Sequence, residues 1–181
     1  MEFTDNTRPS DLSMVILDID GTLAEHGWRH VRYMKDGNLD AFHSDYSSDA
    51  PTKHAKHIWS FVEALPSNYH LFIVSMRYEK HLEGTIKWLA ENISDTFRSY
   101  LEPGGLDPKD TFIMTKGKVD NQITERMRQI RRCHKRRHKM AREHDLWIGS
   151  TIIFEDDVRN AYAIECEYPA AVIFQPFRPY V

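Results

Sequence analysis

Five short apolar runs constrain the fold of this chain more than any other feature of its sequence. Each run is rich in β-branched residues and continuous rather than alternating, which is typical of strands buried on both faces of a parallel sheet. The runs lie at 14–18, 70–75, 111–114, 151–155 and 170–174. Stretches with apolar residues at helical spacing separate them, at 53–65, 79–93, 119–144 and 158–166. Strands that alternate with helices predict an α/β fold with a doubly wound parallel sheet.

Two segments fall outside this alternation. Residues 23–51 are too long for a tight turn, so we expect a flap or hairpin beside the carboxyl edge of the sheet. Residues 102–110 are rich in Gly and Pro and are interpreted as a loop. A length of 181 residues is typical of one domain. The predicted organisation is therefore a single domain over 1–181 that carries the 23–51 insert.

Positive charge is concentrated in a basic helical segment, residues 116–144. It holds eleven of the 24 Lys and Arg residues and three acidic residues, a net charge of +8, whereas the rest of the chain carries −11. This asymmetry indicates an anionic partner. The segment is interpreted as one solvated helix or as two helices broken near Cys133 and His134. Four of its arginines are candidate contacts with nucleic acid: Arg131, Arg132, Arg136 and Arg137. Docking onto another copy, which would give a homo-oligomer, is the alternative.

Composition excludes several classes of protein. The longest apolar runs are far shorter than the ~20 residues of a membrane-spanning helix, so no membrane span is expected. The first twelve residues lack the basic-then-apolar profile of a signal peptide. Two cysteines, Cys133 and Cys166, lie in unrelated contexts and indicate no disulfide framework. We therefore expect a cytoplasmic protein, located in the host cytoplasm if a phage encodes it.

Two acidic residues, Asp18 and Asp20, end the first run. Gly21 follows them and lets the chain leave a strand sharply. Because side chains at i and i+2 of a strand point to the same side, the two carboxylates would repel each other unless a cation such as Mg²⁺ compensates them. The alternative interpretation is a plain Asp-Gly turn.

Other runs end in polar groups that reach the same edge of the sheet, where open α/β folds bind ligands. Asp156 and Asp157 end the fourth run, although Asp157 also suits a helix N-terminus. Ser75 and Arg77 end the second run and would make an oxyanion site, unless Ser75 is a helix N-cap. Two lysines after the third run are candidates to neutralise a phosphate, or lie on the surface: Lys116 and Lys118.

The four strand ends, taken in order, resemble the motifs of phosphatases of the haloacid dehalogenase superfamily. ILDIDGTLA at 16–24 is similar to the first motif, IVSMR at 73–77 to the second, a lysine near Lys118 to the third, and IIFEDDVRN at 152–160 to the fourth. Residues 14–93 further resemble the phosphatase domains of phage polynucleotide kinase–phosphatases. The resemblance implies a three-layer, Rossmann-like, five-stranded parallel sheet with the first strand central, a small flap insert and no large cap domain.

The resemblance also implies a mechanism. Asp18 would be the nucleophile that forms an aspartyl-phosphate, and Asp20 would act as acid and then as base. Oxygen ligands would hold Mg²⁺, from Asp18, the backbone carbonyl of Asp20, Asp156 and Asp157. Polar and basic groups would contact the substrate phosphate: Thr22, Ser75, Arg77 and Lys118. Lys118 is preferred to Lys116 because it lies closer to the helix start.

The predicted activity is Mg²⁺-dependent hydrolysis of a phosphomonoester, with a nucleic-acid 3′-phosphate end as the first candidate substrate. The insert of 29 residues leaves no room for a large lid, and an open site suits a large substrate. A nucleotide 5′- or 3′-monophosphatase is the alternative, and a non-catalytic nucleic-acid-binding or assembly module is an interpretation of another class. Aromatic residues of the insert could stack on a base or pack against the body: Trp28, Tyr33, Phe42 and Tyr46.

Overall fold

The structure, a computed structural model, describes residues 11–35, 37–117 and 119–176. In chain order its strands are β1 (Asp11–Asp18), β2 (Ala24–Glu25), β3 (Ala50–Pro51), β4 (Tyr69–Tyr78), β5 (Phe112–Thr115), β6 (Trp147–Phe154) and β7 (Val172–Phe174). Its helices are α1 (Gly27–Arg29), α2 (Leu39–Ser44), α3 (Ala55–Glu63), α4 (Leu82–Asn92), α5 (Pro108–Thr111), α6 (Gln122–Glu143) and α7 (Val158–Glu167).

Five of these strands form one parallel sheet in the order β5-β4-β1-β6-β7, with β1 in the centre. Each coincides with one of the five predicted runs, and the prediction of a doubly wound sheet is confirmed. The main difference is β4, which continues to Tyr78 and shifts register against β5 after Ser75. Ser75 therefore lies inside a strand and is not a helix N-cap.

The two faces of the sheet carry separate cores, because successive side chains of a strand point to opposite faces. Val15 and Leu17 of β1 pack with residues of α3 and α4 on one side, whereas Met14 and Ile16 pack with residues of α6 and α7 on the other. Asp18 continues the series of Met14 and Ile16. Its carboxylate is thus directed towards the face that α6 covers.

The insert begins where β1 ends. Gly21 has a φ of 97°, a left-handed conformation that favours glycine, and it turns the chain out of the sheet. Strands β2 and β3 then pair antiparallel and close the base of the insert. Helices α1 and α2 lie between them, joined by a π-helical turn over His30–Met34. The predicted flap is therefore a hairpin base that carries helical structure.

The basic segment forms one uninterrupted helix, α6, rather than two. Asn121 caps its start by accepting a hydrogen bond from the Thr124 backbone N–H. Met127, Ile130 and Cys133 anchor it to the sheet, so the helix has a buried stripe despite its charge. Within the described ranges, no helix is both long and apolar enough to cross a bilayer.

His134 on α6 gives a pH-dependent contribution to stability. Its ring stacks on Tyr168 with centroids 4.1 Å apart, and burial together with Arg137 lowers the pKa of His134 to about 4. The unfolded chain binds this proton near pH 6.5, so the free energy of unfolding should fall as the pH drops from about 6.5 to about 4. Urea unfolding of wild type and His134→Phe measures this.

Between about pH 6.5 and pH 4, the unfolding free energy of His134→Phe should then fall less than that of wild type. His57→Gln, which removes an exposed histidine of α3 that does not act on His134, serves as the control for the loss of one histidine. Identical pH profiles for wild type and His134→Phe would contradict the expectation.

Candidate active site

A cleft of about 660 Å³ opens beyond the carboxyl ends of β1 and β6. It lies between neighbouring strands whose chain connections run in opposite directions, from β1 towards β4 and from β6 towards β7, which is where doubly wound sheets bind ligands. Acidic residues from the two strand ends line its floor: Asp18, Asp20, Glu155, Asp156 and Asp157. The insert, α6 and α7 supply the walls, with His26, His30, Phe42, His43, Gln122, Arg126 and Val158 among them.

Asp18 is buried at the end of β1 and pairs with a cation that the sequence analysis did not single out. The guanidinium of Arg126 donates a hydrogen bond to Asp18 Oδ1, and its Nε lies 2.9 Å from Glu155 Oε2. Gln129, one turn later on α6, accepts from Arg126 Nη1 at 3.1 Å and fixes its orientation. Burial raises the pKa of Asp18 well above its usual value, and the nearby acids add to this although Arg126 opposes it.

Asp18, Glu155 and Asp156 form a carboxylate cluster whose oxygen atoms lie within 4.8 Å of one another. The guanidinium of Arg126 pairs with both Asp18 and Glu155, so these two carboxylates, when ionised, carry one more charge than this guanidinium neutralises. A divalent cation matches that excess, and carboxylate oxygens are the donors that Mg²⁺ prefers. The residues present therefore fit a magnesium ion.

Asp20 has a different environment, because its carboxylate is directed towards two arginines. Arg29 Nη2 lies 2.6 Å from Asp20 Oδ1, and Arg77 donates from Nη2 at 2.8 Å and from Nε at 3.1 Å to the same oxygen. Ser75 Oγ donates to Asp20 Oδ2 at 3.2 Å. Although burial favours the neutral acid, Arg77 and Arg29 hold the pKa of Asp20 well below its usual range.

Asp49 completes this network from the end of the insert. Its buried carboxylate accepts from Arg29 Nη2 at 2.6 Å, from Arg77 Nη2 at 3.2 Å and from the indole of Trp28 at 3.0 Å. Its backbone carbonyl accepts from the indole of Trp88 on α4 at 2.9 Å. Two arginines and two carboxylates thus tie the insert to the strand ends. We call Asp20, Arg29, Asp49 and Arg77 the arginine network.

The predicted phosphate ligands lie at the edge of the cleft or behind it. Ser75 and Arg77 are fully buried and face Asp20. Thr22 is fully buried in the turn after β1, and its hydroxyl makes no hydrogen bond within the described part of the chain. Lys118, the preferred motif lysine, lies outside the described residues. Lys116 is exposed beyond the end of β5.

Asp157 lies beside the carboxylate cluster and begins α7. Its Oδ1 accepts from the backbone N–H groups of Arg159 and Asn160, and its carboxylate pairs with the Arg159 guanidinium at 2.7 Å. These contacts lower the pKa of Asp157. The helix-capping interpretation therefore describes this residue, and a metal-binding role for Asp157 stays a prediction.

The four arginines predicted to contact nucleic acid differ in availability. The prediction that Arg137 contacts nucleic acid is corrected, because this residue is buried. Its Nη1 donates to the Gly149 carbonyl at 3.1 Å and to Thr151 Oγ1 at 3.0 Å. Arg131 is exposed but forms a two-bond pair with Glu167. Arg136 donates to the Lys109 carbonyl. Arg132 is half-buried and lines a second cavity.

Aromatic residues of the insert pack against neighbouring side chains. Phe42 and Tyr46 are buried, and the Tyr46 ring lies under the Arg77 guanidinium at 4.4 Å. Trp28 donates to Asp49, and the Tyr33 hydroxyl donates to Asp45. Packing against the body is therefore the interpretation that the structure favours, with Phe42 also lining the cleft.

Four charged residues of this site were not predicted from the sequence: Arg29, Asp49, Arg126 and Glu155. Glu155 belongs to the acidic cluster already noticed after the fourth run. Arg126 lies one helical turn after Gln122, and both line the cleft. Because Arg126 is one of eleven basic residues in the segment 116–144, its sequence position alone did not identify it as a site residue. Nothing in the sequence identifies Arg29 as the partner of Asp49, because 20 residues separate them.

No family model matches the sequence, and a comparison with curated proteins finds no match. Solved structures are similar in fold. A chain of the Pnkp1/Rnl/Hen1 RNA repair complex aligns with a TM-score of 0.52 at 15% identity, over 97% of this chain and 47% of that chain. The class C acid phosphatase from Bacillus anthracis aligns with a TM-score of 0.53 at 14% identity, over 94% of this chain and 68% of that chain.

The tungstate-bound form of the same acid phosphatase aligns with a TM-score of 0.51 at 13% identity. This chain spans about half the length of the repair-complex chain that it matches. At these identities the likeness concerns the fold alone, the α/β architecture described above. The chain therefore shares the α/β fold of these solved structures.

Proposed function

We propose that this protein is a Mg²⁺-dependent phosphomonoester hydrolase that uses Asp18 as its nucleophile. The carboxylate cluster of Asp18, Glu155 and Asp156 on the floor of an open cleft is the observation that carries the proposal. Acids concentrated at one spot in a fold are costly, because like charges raise one another's pKa. A site that binds a cation and an anionic substrate explains why the chain tolerates this cost.

In the first step, an oxygen of Asp18 would attack phosphorus while the bond between phosphorus and the ester oxygen breaks. The new bond between Asp18 and phosphorus gives an aspartyl-phosphate intermediate, and the oxygen of the leaving alcohol takes a proton from Asp20. In the second step Asp20 accepts a proton from water, which attacks phosphorus and releases inorganic phosphate. Asp18 then returns to its carboxylate form.

The arginine network bears on the two roles of Asp20. Arg29 and Arg77 favour the ionised carboxylate, the form that accepts a proton in the second step. For the first step Asp20 must be protonated, and a phosphate dianion near Arg77 would weaken the hold of the guanidinium on the carboxylate. We therefore assign Arg77 and Arg29 as positioning residues of Asp20.

Asp18, Glu155 and Asp156 would hold the metal ion. A bound Mg²⁺ lets an anionic nucleophile approach an anionic phosphate. Arg126 supports the same purpose from the other side, since it orients the Asp18 carboxylate and adds a positive charge at the cleft. Arg126 could therefore contact the substrate phosphate, which is the role predicted for a lysine of the third motif.

A nucleic-acid 3′-phosphate end is the substrate that we propose first. The cleft is open, α6 contributes the cation of Arg126 to its lining, and one structure of similar fold belongs to an RNA repair complex. A free nucleotide monophosphate is the second candidate, because the cleft volume accommodates a nucleoside and the rings of His26, His30 and Phe42 lie in its wall.

Removal of metal tests the proposal. In EDTA, hydrolysis of p-nitrophenyl phosphate should fall below detection, and added Mg²⁺ should restore it. The same assay, run with 3′- and 5′-phosphorylated oligonucleotides, nucleoside monophosphates and sugar phosphates, ranks the substrates by kcat/KM. Full activity in EDTA would overturn the metal assignment. No hydrolysis of any substrate with Mg²⁺ would favour a non-catalytic binding module instead.

A further inference from the structure

A second concave surface lies at the carboxyl end of β5, and the mechanism above does not use it. Its volume is about 410 Å³. It is formed by residues 115–117, by Val119 and by the first three turns of α6, and we call it the β5 pocket. Its lining residues are Thr115, Lys116, Gly117, Val119, Glu125, Arg128 and Arg132.

The β5 pocket is positively charged. Three cations line it, against the single carboxylate of Glu125. Glu125 is already paired with the guanidinium of Arg128. Within the described part of the chain, Arg132 makes neither a hydrogen bond nor an ion pair, although it is half-buried. A half-buried guanidinium in a basic cavity favours an anionic ligand.

Arg132 differs in this respect from its neighbours on α6. Arg131 is held by Glu167, Arg136 by the Lys109 carbonyl, and Arg137 is buried against the start of β6. The guanidinium groups of these three arginines thus make hydrogen bonds within the protein. Arg132, in contrast to these three, lines the β5 pocket.

The β5 pocket is close to the candidate active site. Strand β5 is two strands away from β1, which at about 4.8 Å per strand places the ends of Asp18 and Thr115 about 10 Å apart along the edge of the sheet. Hydrogen bonds connect them, because Gln129 accepts from Arg126 and donates to Thr115 Oγ1 at 3.3 Å. About three nucleotides of a stacked strand, at about 3.4 Å each, cover this distance.

We propose that the β5 pocket binds a backbone phosphate of a single-stranded nucleic acid whose terminal phosphate lies at Asp18. This inference rests on the proposed function and narrows its substrate to a polymer. A mononucleotide would be too short to reach the pocket. Recognition would be electrostatic and independent of base sequence, since no base-reading group is required.

Substrate length is the variable that tests the inference. For the wild type, kcat/KM on 3′-phosphorylated oligonucleotides should rise up to about four nucleotides and then level off. Arg132→Gln should lower kcat/KM on the longer substrates by about tenfold, and Arg128→Gln combined with it should lower it further. Both variants should hydrolyse p-nitrophenyl phosphate and the mononucleotide within about twofold of wild type. The slope of log affinity against log salt should decrease by about 0.7 for each phosphate that a variant no longer neutralises.

Lys139→Gln is the matched control, because Lys139 is exposed near the far end of α6, pairs with Glu143 and carries the same charge. It should leave the length dependence intact. An equal loss in Arg132→Gln on oligonucleotides and p-nitrophenyl phosphate, or an equal loss in Lys139→Gln, would overturn the inference. Binding of a fluorescent 3′-phosphorylated oligonucleotide to wild type and Arg132→Gln, measured by anisotropy, tests the pocket independently of hydrolysis. Absence of hydrolysis by the wild type would count against the proposed function alone.

Discussion

Asp18→Asn is expected to lower kcat/KM for every phosphomonoester by about a thousandfold or more, while the protein folds normally. The amide cannot form a stable bond to phosphorus, yet its carbonyl oxygen can still accept the hydrogen bond from Arg126. Because burial raises the pKa of Asp18, its charge is unfavourable in the folded state. A neutral side chain should therefore leave the melting temperature unchanged or higher.

Steady-state kinetics with p-nitrophenyl phosphate and a thermal melt check both parts of this expectation. Asp11→Asn is the matched control, since Asp11 is exposed at the other end of the same strand and loses the same charge. It should retain activity within about twofold. Retention of more than about a tenth of the wild-type rate by Asp18→Asn would remove Asp18 as the nucleophile.

Arg29→Gln is expected to destabilise the fold by about 3–5 kcal/mol, because it leaves a buried carboxylate without its principal cation. Arg29 and Asp49 have fully buried side chains, and three hydrogen bonds join the guanidinium to Asp49 and Asp20. Burial already raises the pKa of Asp49 against the pull of Arg29 and Arg77. Urea-induced unfolding of the two proteins at pH 7 measures the loss.

Arg32→Gln provides the comparison within the same part of the insert, since Arg32 is exposed. Its effect should be within about 0.5 kcal/mol. Arg29→Lys should recover little of the stability, because an ammonium group cannot reproduce the forked contacts of the guanidinium. Equal stability of Arg29→Gln and Arg32→Gln would show that the arginine network does not hold the insert.

The sheet could be predicted from the sequence because its strands are buried on both faces. Residues 14–17 and 152–154 are apolar without interruption, and they lie in the buried parts of β1 and β6. Their acidic ends were equally visible, because a carboxylate at the end of an apolar run is conspicuous. The sequence therefore predicted Asp18 and Asp156, which the fold brings into one cluster.

The partners of these acids could not be predicted, because they come from distant parts of the chain. Arg126 is 108 residues from Asp18, and only the crossing of α6 over the sheet brings them together. Many other basic residues surround Arg126 on α6, so its position in the sequence did not distinguish it from them. Arg29 and Asp49 depend on the path of the insert, which neither helical nor strand periodicity describes.

The proposed reaction depends on a divalent ion shared by acids from two strand ends. Crystals soaked in Mn²⁺ and measured at a wavelength where manganese scatters anomalously would locate such an ion directly. We expect one strong anomalous peak within bonding distance of carboxylate oxygens of Asp18 and Asp156, and its loss in Asp156→Asn. The shared metal site would be contradicted if the protein hydrolyses phosphomonoesters but its crystals show no peak between these residues. A peak elsewhere would contradict it equally.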